Sequence, residues 1–429
     1  MEITLTIMGL LLLLILCGIP IAGAIGLTSL ITIAVFNLGL PISTLASRYF
    51  FGLDSFALMA IPFFIFAGEL MNASGITKRV LDIAEAFVGW LKGGMTYVNC
   101  LAAMMMATIS GSGSACAAAL GVSLIPDMES RGYSREYSVA LTSCANVVGP
   151  IIPPSSMFIL YAYYTDASII KLFFGGVIPG VITGLALMVV GTAICRVKGY
   201  RQEKREFSVK KCLMVMKKGW SAILVPMGLF LAIVTGTCTA TEAGALVCVV
   251  SLLLGIAYRG ITSWKDVLGC AKRAAASTCV IWTLLAVSGL FTNVLVRARF
   301  SDIVSAALIS ITTTPYVMLI IIVAFIFILG MFVDVTPMIL MFGIPFSTCA
   351  ISVGVDPTHF GMLFVFICMV GAVTPPVGSI LFITTTIGKT SMVKVTPVLI
   401  PLLFTLLAVA ICVIFVPSTV TFLPDLLFG

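Results

Sequence analysis

The stretch Asn146-Val147-Val148-Gly149-Pro150-Ile151-Ile152-Pro153-Pro154-Ser155 interrupts an apolar run in which a helix should be continuous. Three prolines and a glycine break it. Pro153 and Pro154 remove backbone donors and clash with the preceding turn. In lipid the carbonyls they free need partners, so a broken helix persists only where protein or a wet cavity covers the break. The interruption recurs as Gly371-Ala372-Val373-Thr374-Pro375-Pro376-Val377-Gly378. Gly149 and Gly371, Pro153 and Pro375, and Pro154 and Pro376 are each 222 positions apart. Interrupted membrane helices at matching places in two halves point to the binding site of a secondary transporter.

Composition agrees. The 429 residues are 60% hydrophobic and 10% charged, with a mean hydropathy of +1.21, which marks a polytopic helical membrane protein. Long continuous apolar runs do not match the alternation of barrel strands. The first run, Ile3 to Cys17, has no basic segment before it and reads as a mature membrane segment, not a cleaved signal. The 13 cysteines form no CxxC and are expected as packing residues, not disulfides or metal ligands. The net charge of +7 is concentrated: residues 196–218 carry nine Lys/Arg and two acids. This reads as a cytoplasmic loop under the positive-inside bias, touching anionic lipid, and not as a nucleic-acid patch.

The basic loop divides the chain. Residues 1–94 read as scaffold helices and an arm of a first repeat, 95–166 as a hairpin with its broken helix, and 167–218 as a span and the basic loop. Residues 219–314 repeat the scaffold and arm, 315–390 the hairpin and broken helix, and 391–429 form a C-terminal span. The apolar segments at 95–110 and 114–126 fall short of the roughly 20 residues a span needs. They are joined by Ser110-Gly111-Ser112-Gly113-Ser114, so they read as a re-entrant hairpin. The matching tip is Val333-Asp334-Val335-Thr336-Pro337, and Gly121/Gly343 and Pro179/Pro401 keep the same offset. The expected fold is an all-α polytopic protein of two inverted repeats, each with a re-entrant helical hairpin facing a broken transmembrane helix. Loops at 127–136, 196–218, 259–273 and 389–394 carry basic residues and would be cytoplasmic. Both termini lack nearby Lys or Arg and would be outside.

Helix ends at a hairpin tip leave backbone groups unsatisfied: carbonyl ends suit Na⁺ and amide ends suit a carboxylate. One oxygen cage would use Ser110, Ser112, Asn146 and the unwound Gly149-Pro150 backbone. A second would use Asp334, Thr336 and the backbone from Gly371 to Thr374. Ser114 and Cys116 read as packing residues. An organic acid would sit between tips and breaks, near Ser112, Ser155, Ser156 and Asp334. Asp334 is an acid in an apolar span, which is functional by default. Arg297 and Arg299 close an apolar helix and serve either as interfacial snorkels or as a guanidinium fork for the substrate, with at least one facing the cavity. Glu69 is another acid in an apolar run, and Glu242 reads as a helix cap. Enzyme signatures fail. Gly111-Ser112-Gly113-Ser114 faintly suggests an intramembrane serine protease, but the only histidine, His359, reads as solvated in a loop. Gly388-Lys389-Thr390 lacks the P-loop glycine at position 383, which is Ile.

GSGSACAAALG, NVVGPIIPPS, TATEAGA and AVTPPVG together resemble the large membrane (M) subunit of tripartite ATP-independent periplasmic (TRAP) transporters, the DctM family. The resemblance covers essentially the whole chain. One departure is Ala240 before TEA, where the family often has proline. The resemblance implies Na⁺-coupled uptake of an organic acid by an elevator motion, with two or more ions. It also implies a small four-helix Q-type membrane subunit, here expected on a separate chain, and a periplasmic substrate-binding protein, all at the bacterial inner membrane. The chain resembles M subunits serving sialic acid, and C4-dicarboxylate carriers share these motifs. The competing expectations are a self-sufficient anion carrier or channel without partners, and, more remotely, a membrane enzyme.

Overall fold

The computed structural model of the chain describes residues 2–36, 47, 57–200 and 207–428, and every regular element among them is helical. In the first half α1 (Glu2–Leu16), α2 (Ile21–Phe36), α3 (Ala60–Ala73) and α4 (Ile76–Val88) precede the hairpin helices α5 (Gly94–Ser110) and α6 (Gly113–Ser130). Next come α7 (Arg135–Ala145), a 3-10 turn (Asn146–Val148), α8 (Ser156–Thr165) and α9 (Ile169–Lys198). The second half opens with α10 (Val209–Val234), α11 (Ala240–Ala257), α12 (Trp264–Arg297) and α13 (Phe300–Ile311). It continues with α14 (Pro315–Gly330), α15 (Val335–Ser352), α16 (Pro357–Gly371), α17 (Ser379–Ile387) and α18 (Met392–Phe415), and then α19 (Ser418–Phe428).

The offset seen in the motifs extends to whole elements. Helices α6 and α15 begin and end 222 positions apart, and α5/α14, α8/α17 and α9/α18 begin within a residue of the same offset. Packing is reciprocal: α6 lies against α17, and α15 lies against α8. Each hairpin therefore rests on the other repeat's broken helix, the relation a two-fold axis imposes. The loop after α6 carries Arg131 and leads into Arg135, whereas its counterpart, Val353-Gly354-Val355-Asp356, has no Lys or Arg. By the positive-inside rule these equivalent loops lie on opposite sides, which makes the repeats inverted.

Residues 94–130 are a hairpin and not one span. The chain turns at Gly111, whose φ of 57° is left-handed, and α5 packs back on α6. The second arm is longer than the sequence suggests: α6 has 18 residues, and α15 is long and apolar enough to cross a membrane. Both breaks follow the prolines, and Pro153-Pro154 and Pro375-Pro376 are both cis. Hairpin and break meet backbone to backbone. A Cβ on Gly149 would stand 2.9 Å from the Gly113 Cα, and one on Gly371 would stand 2.6 Å from the Gly330 carbonyl carbon.

Three expectations need correction. His359 is not solvated. Asp356 caps α16 by accepting from the His359 backbone N–H at 2.9 Å, and the ring is 2% exposed with its Nε2 2.9 Å from the Val413 carbonyl of α18. Helix α12 begins at Trp264, inside the stretch 259–273 expected as a cytoplasmic loop, because Ser263 and Asp266 form a capping box. Helix α10 begins at Val209 inside the stretch read as basic loop, since it packs on α4, where the Cys212 thiol donates to the Ala86 carbonyl at 3.2 Å. Glu242 does cap α11, in a capping box with Thr239. The 13 cysteines form no disulfide in the structure, and Cys100, Cys116, Cys144 and Cys368 are buried.

The glycine contacts generate a stability test. Gly371→Ala places a methyl against backbone that cannot yield, and should lower stability by about 1–3 kcal/mol. Gly228 has nothing within 4 Å of its would-be Cβ, so Gly228→Ala should be neutral or stabilising. Thermal unfolding in detergent compares the two. Equal stability of both variants would refute the backbone contact.

Candidate functional site

At the first tip α5 ends, Gly111 turns, and Ser112 in extended conformation opens α6. The break is tied to this tip by the Ser156 hydroxyl, which donates to the Gly111 carbonyl at 3.0 Å. Ser155 caps α8 by accepting from the Phe158 N–H at 3.2 Å. At the second tip Asp334 is the extended residue opening α15, in the place Ser112 has in the first. The Ser379 hydroxyl donates to Asp334 Oδ1 at 3.0 Å, and the Gly378 N–H donates to the Met331 carbonyl at 3.1 Å. Four helix N-termini, those of α6, α8, α15 and α17, thus open at the tips and breaks. They carry partial positive charge, and the carbonyl ends of α5, α14 and α16 beside them carry partial negative charge.

Behind the first tip Asn146 is fully buried. Its Nδ2 donates to the Thr142 carbonyl at 2.7 Å, while its Oδ1 has no hydrogen-bond partner. Gly149 and Pro150 are buried beside it, and a Cβ on Gly113 would stand 2.9 Å from the Asn146 carbonyl. Ser112, Asn146 and Gly149 are therefore gathered by one close approach; the Ser110 side chain lies outside the described residues. At the second tip Thr374 is buried and donates to the Val370 carbonyl at 2.7 Å, Gly371 faces Gly330, and the Thr336 hydroxyl rests 3.7 Å from the Met157 sulfur.

The two tips line one cavity of about 770 Å³. Ser112, Ser156, Asp334 and Thr336 face it from the hairpins and the first break, and Ser114, read from sequence as a packing residue, faces it too. The opposite wall is scaffold: Pro20 to Ala22, then Gly68, Glu69 and Asn72 of α3, and Ser277 to Leu284 of α12. Glu69 Oε2 accepts from Arg273 Nε at 2.7 Å, bracing α3 against α12. Asn146, Gly149, Pro150, Ser155, Gly371 and Thr374 sit behind this lining. Arg297 and Arg299 are exposed, and neither is among the described residues lining the cavity. The expectation that one of them faces it is not met. Helix α12 meets the cavity through Ser277 to Leu284, and Arg297 lies about 20 Å further along its axis at 1.5 Å per residue. The sequence reading missed Asn72, Ser277, Thr283 and Ser379 as site residues. Ser379 directly follows the second break, whereas Asn72, Ser277 and Thr283 lie in no glycine- or proline-rich break, so only the fold brings those three to the tips.

The DctM component model of the tripartite ATP-independent periplasmic transporters matches residues 8–419. The isethionate TRAP transporter permease protein DctMQ of Oleidesulfovibrio alaskensis is 35% identical over 94% of this chain, which spans 63% of that relative's length. The sialic acid TRAP transporter large permease protein SiaM of Vibrio cholerae is 29% identical over 96% of both chains. Among solved structures, the Alcanivorax borkumensis YdaH transporter matches in fold with a TM-score of 0.64, at 11% identity and 87% coverage of each chain. With the matched model covering nearly its full length, the chain belongs to the DctM component family of the tripartite ATP-independent periplasmic transporters: a multi-pass membrane permease and not an enzyme.

Proposed function

We propose that this chain carries an organic acid across the bacterial inner membrane, driven by Na⁺. One observation carries the reading: both hairpin tips and the first break converge on a single cavity, with a buried amide oxygen, Asn146 Oδ1, left without a partner behind it. An unsatisfied buried acceptor costs about 1–3 kcal/mol. A small hard cation held by Asn146, Ser110, Ser112 and the Gly149-Pro150 backbone recovers that cost. A second ion would use Asp334, Thr336, Gly371 and Thr374.

The substrate would lie in the cavity at Ser112, Ser156 and Asp334, with Ser155 behind them capping α8 and the substrate carboxylate on the N-terminal amides of α6 and α8. Among the described lining residues none is Lys or Arg. Two are acids, Glu69 and Asp334, and six are hydroxyl residues: Ser112, Ser114, Ser156, Ser277, Thr283 and Thr336. That lining favours a singly charged, hydroxyl-rich acid, of which sialic acid is one, over a C4-dicarboxylate. The cavity separates scaffold from hairpins, which supports an elevator motion of the hairpin body past α2, α3 and α12. The family implies a periplasmic binding protein that delivers the substrate and a small four-helix Q-type subunit, and the lack of Lys or Arg near either terminus supports both on the periplasmic side.

Uptake into liposomes, with and without Na⁺ and a binding protein, tests the reading. Ser112→Ala and Asn146→Ala should each raise the Na⁺ concentration for half-maximal uptake by about tenfold, the loss of one ion–oxygen contact. Wild-type Na⁺ dependence in both variants would remove the first cage.

A cysteine at Ala115 tests the cavity. Ala115 is exposed and lines it, while Cys116 is fully buried. Ala115→Cys should react with a hydrophilic thiol reagent and be protected by substrate, and native Cys116 should not react. Labelling of Cys116 at the rate of the new cysteine would sink the placement.

A further inference from the structure

Helix α7 carries polar residues on one face along its whole length. Ser138 donates to the Ser134 carbonyl at 3.0 Å, Thr142 to the Ser138 carbonyl at 2.7 Å, and Asn146 to the Thr142 carbonyl at 2.7 Å. Asn99 of α5 faces this row, its Nδ2 donating to Thr142 Oγ1 at 2.7 Å. Ser138, Thr142, Asn146 and Asn99 are all fully buried. Two amide oxygens in the row, Asn99 Oδ1 and Asn146 Oδ1, have no hydrogen-bond partner. At the loop end three tyrosines close the row. Tyr133, Tyr137 and Tyr200 gather with ring centroids 5.6–6.1 Å apart, and the Tyr200 hydroxyl lies 2.7 Å from Ser134 Oγ. Burial pushes the Tyr133 phenol up to about 12.

Small polar residues also glue membrane helices together, and that role alone does not account for the row. The 222-residue offset supplies an internal control. Asn99, Ser138, Thr142 and Asn146 correspond to Ile321, Phe360, Phe364 and Cys368. The second repeat fills the same place with apolar side chains, and Phe360 and Phe364 pack ring to ring at 6.0 Å. Packing therefore does not demand polarity here. The polar version costs two unsatisfied acceptors, and buried acceptors of this kind are what ordered water or a cation satisfies. Direction follows from the inversion: α7 begins at the loop carrying Arg131 and Arg135, and α16 begins at the loop without basic residues.

We propose that the row from Tyr133, Tyr137 and Tyr200 to Asn146 is a hydrated column by which the cation held at Asn146 leaves toward the cytoplasmic loop, while the aromatic counterpart in the second repeat seals the other side. The column spans the length of α7, 11 residues. It rests on the Na⁺ reading above for its cargo, though not for its water. Thr142 supplies the hydroxyl midway.

Thr142→Val, of similar shape, should leave the Na⁺ concentration for half-maximal uptake within about twofold of wild type, because the cage is intact. It should slow Na⁺-driven uptake by about tenfold, because a dehydrated step enters the path. Thr142→Ser should restore the rate. A wild-type rate in Thr142→Val, or a loss seen only as weaker Na⁺ dependence, overturns the path. Radiolytic hydroxyl labelling of the wild-type protein gives a readout that needs no variant. Water in the column should oxidise Met128, whose sulfur accepts from Asn99 Nδ2 at 3.4 Å, and Tyr137 ahead of the equally buried Phe360 and Phe364. Na⁺-dependent uptake with Met128 and Tyr137 unlabelled would overturn the column alone. Labelled residues with uptake indifferent to Na⁺ would overturn the cation reading and, with it, the column's cargo.

Discussion

A backbone that leaves the helix inside an apolar core must find partners for every N–H and C=O it releases. Two such departures occur here, at Gly149-Ser155 and at Ala372-Gly378, and the arrangement of the hairpins answers them. The Gly111 carbonyl takes the Ser156 hydroxyl, and the Met331 carbonyl takes the Gly378 N–H. Within the second break the Ile380 N–H reaches the Ala372 carbonyl at 3.0 Å. Each hairpin end thus supplies an acceptor to the break of its own repeat. Glycines at 113, 149 and 371 allow it, because any Cβ there would displace backbone or packed side chains. Tip and break are one structural unit, and the cavity is the space left where two such units meet the scaffold.

How far the sequence could be read follows from where each signal sits. The breaks were legible because proline and glycine act locally, through a missing donor and a missing Cβ. The repeat was legible because the breaks recur at one offset. Signals that depend on a distant partner were not. His359 follows Asp-Pro-Thr, which reads as a loop, yet the Val413 carbonyl holds its ring in the core. Arg297 and Arg299 end a helix whose cavity-facing turns come well before them. Ser277 and Thr283 line the cavity from a stretch of α12 that holds no break. The capping box at Ser263 and Asp266 was readable, and it starts a helix inside the stretch 259–273 that its basic residues marked as a loop.

The repeats share a frame and differ in what fills it. Ser112 and Asp334 occupy the same position, the extended residue before a hairpin's second helix. One repeat places a neutral hydroxyl there and the other a carboxylate. The carboxylate sits at a helix N-terminus, where the dipole favours negative charge, and Ser379 donates to it. A neutral tip leaves its helix N-terminus free to attract an anion, whereas an acidic tip already satisfies its own. Two tips of different charge therefore face one cavity.

The same asymmetry runs through the body of the repeats. Where α7 carries Ser138, Thr142 and Asn146, α16 carries Phe360, Phe364 and Cys368, with equal burial on both sides. A two-fold frame alone would treat the two faces of the membrane alike. In this chain the two faces differ, and the difference lies in side chains and not in topology. Symmetry in the backbone keeps the tips and breaks interchangeable as structural units. Loss of symmetry in the side chains, polar and under-satisfied in one repeat and aromatic in the other, is where the two faces of the fold come to differ.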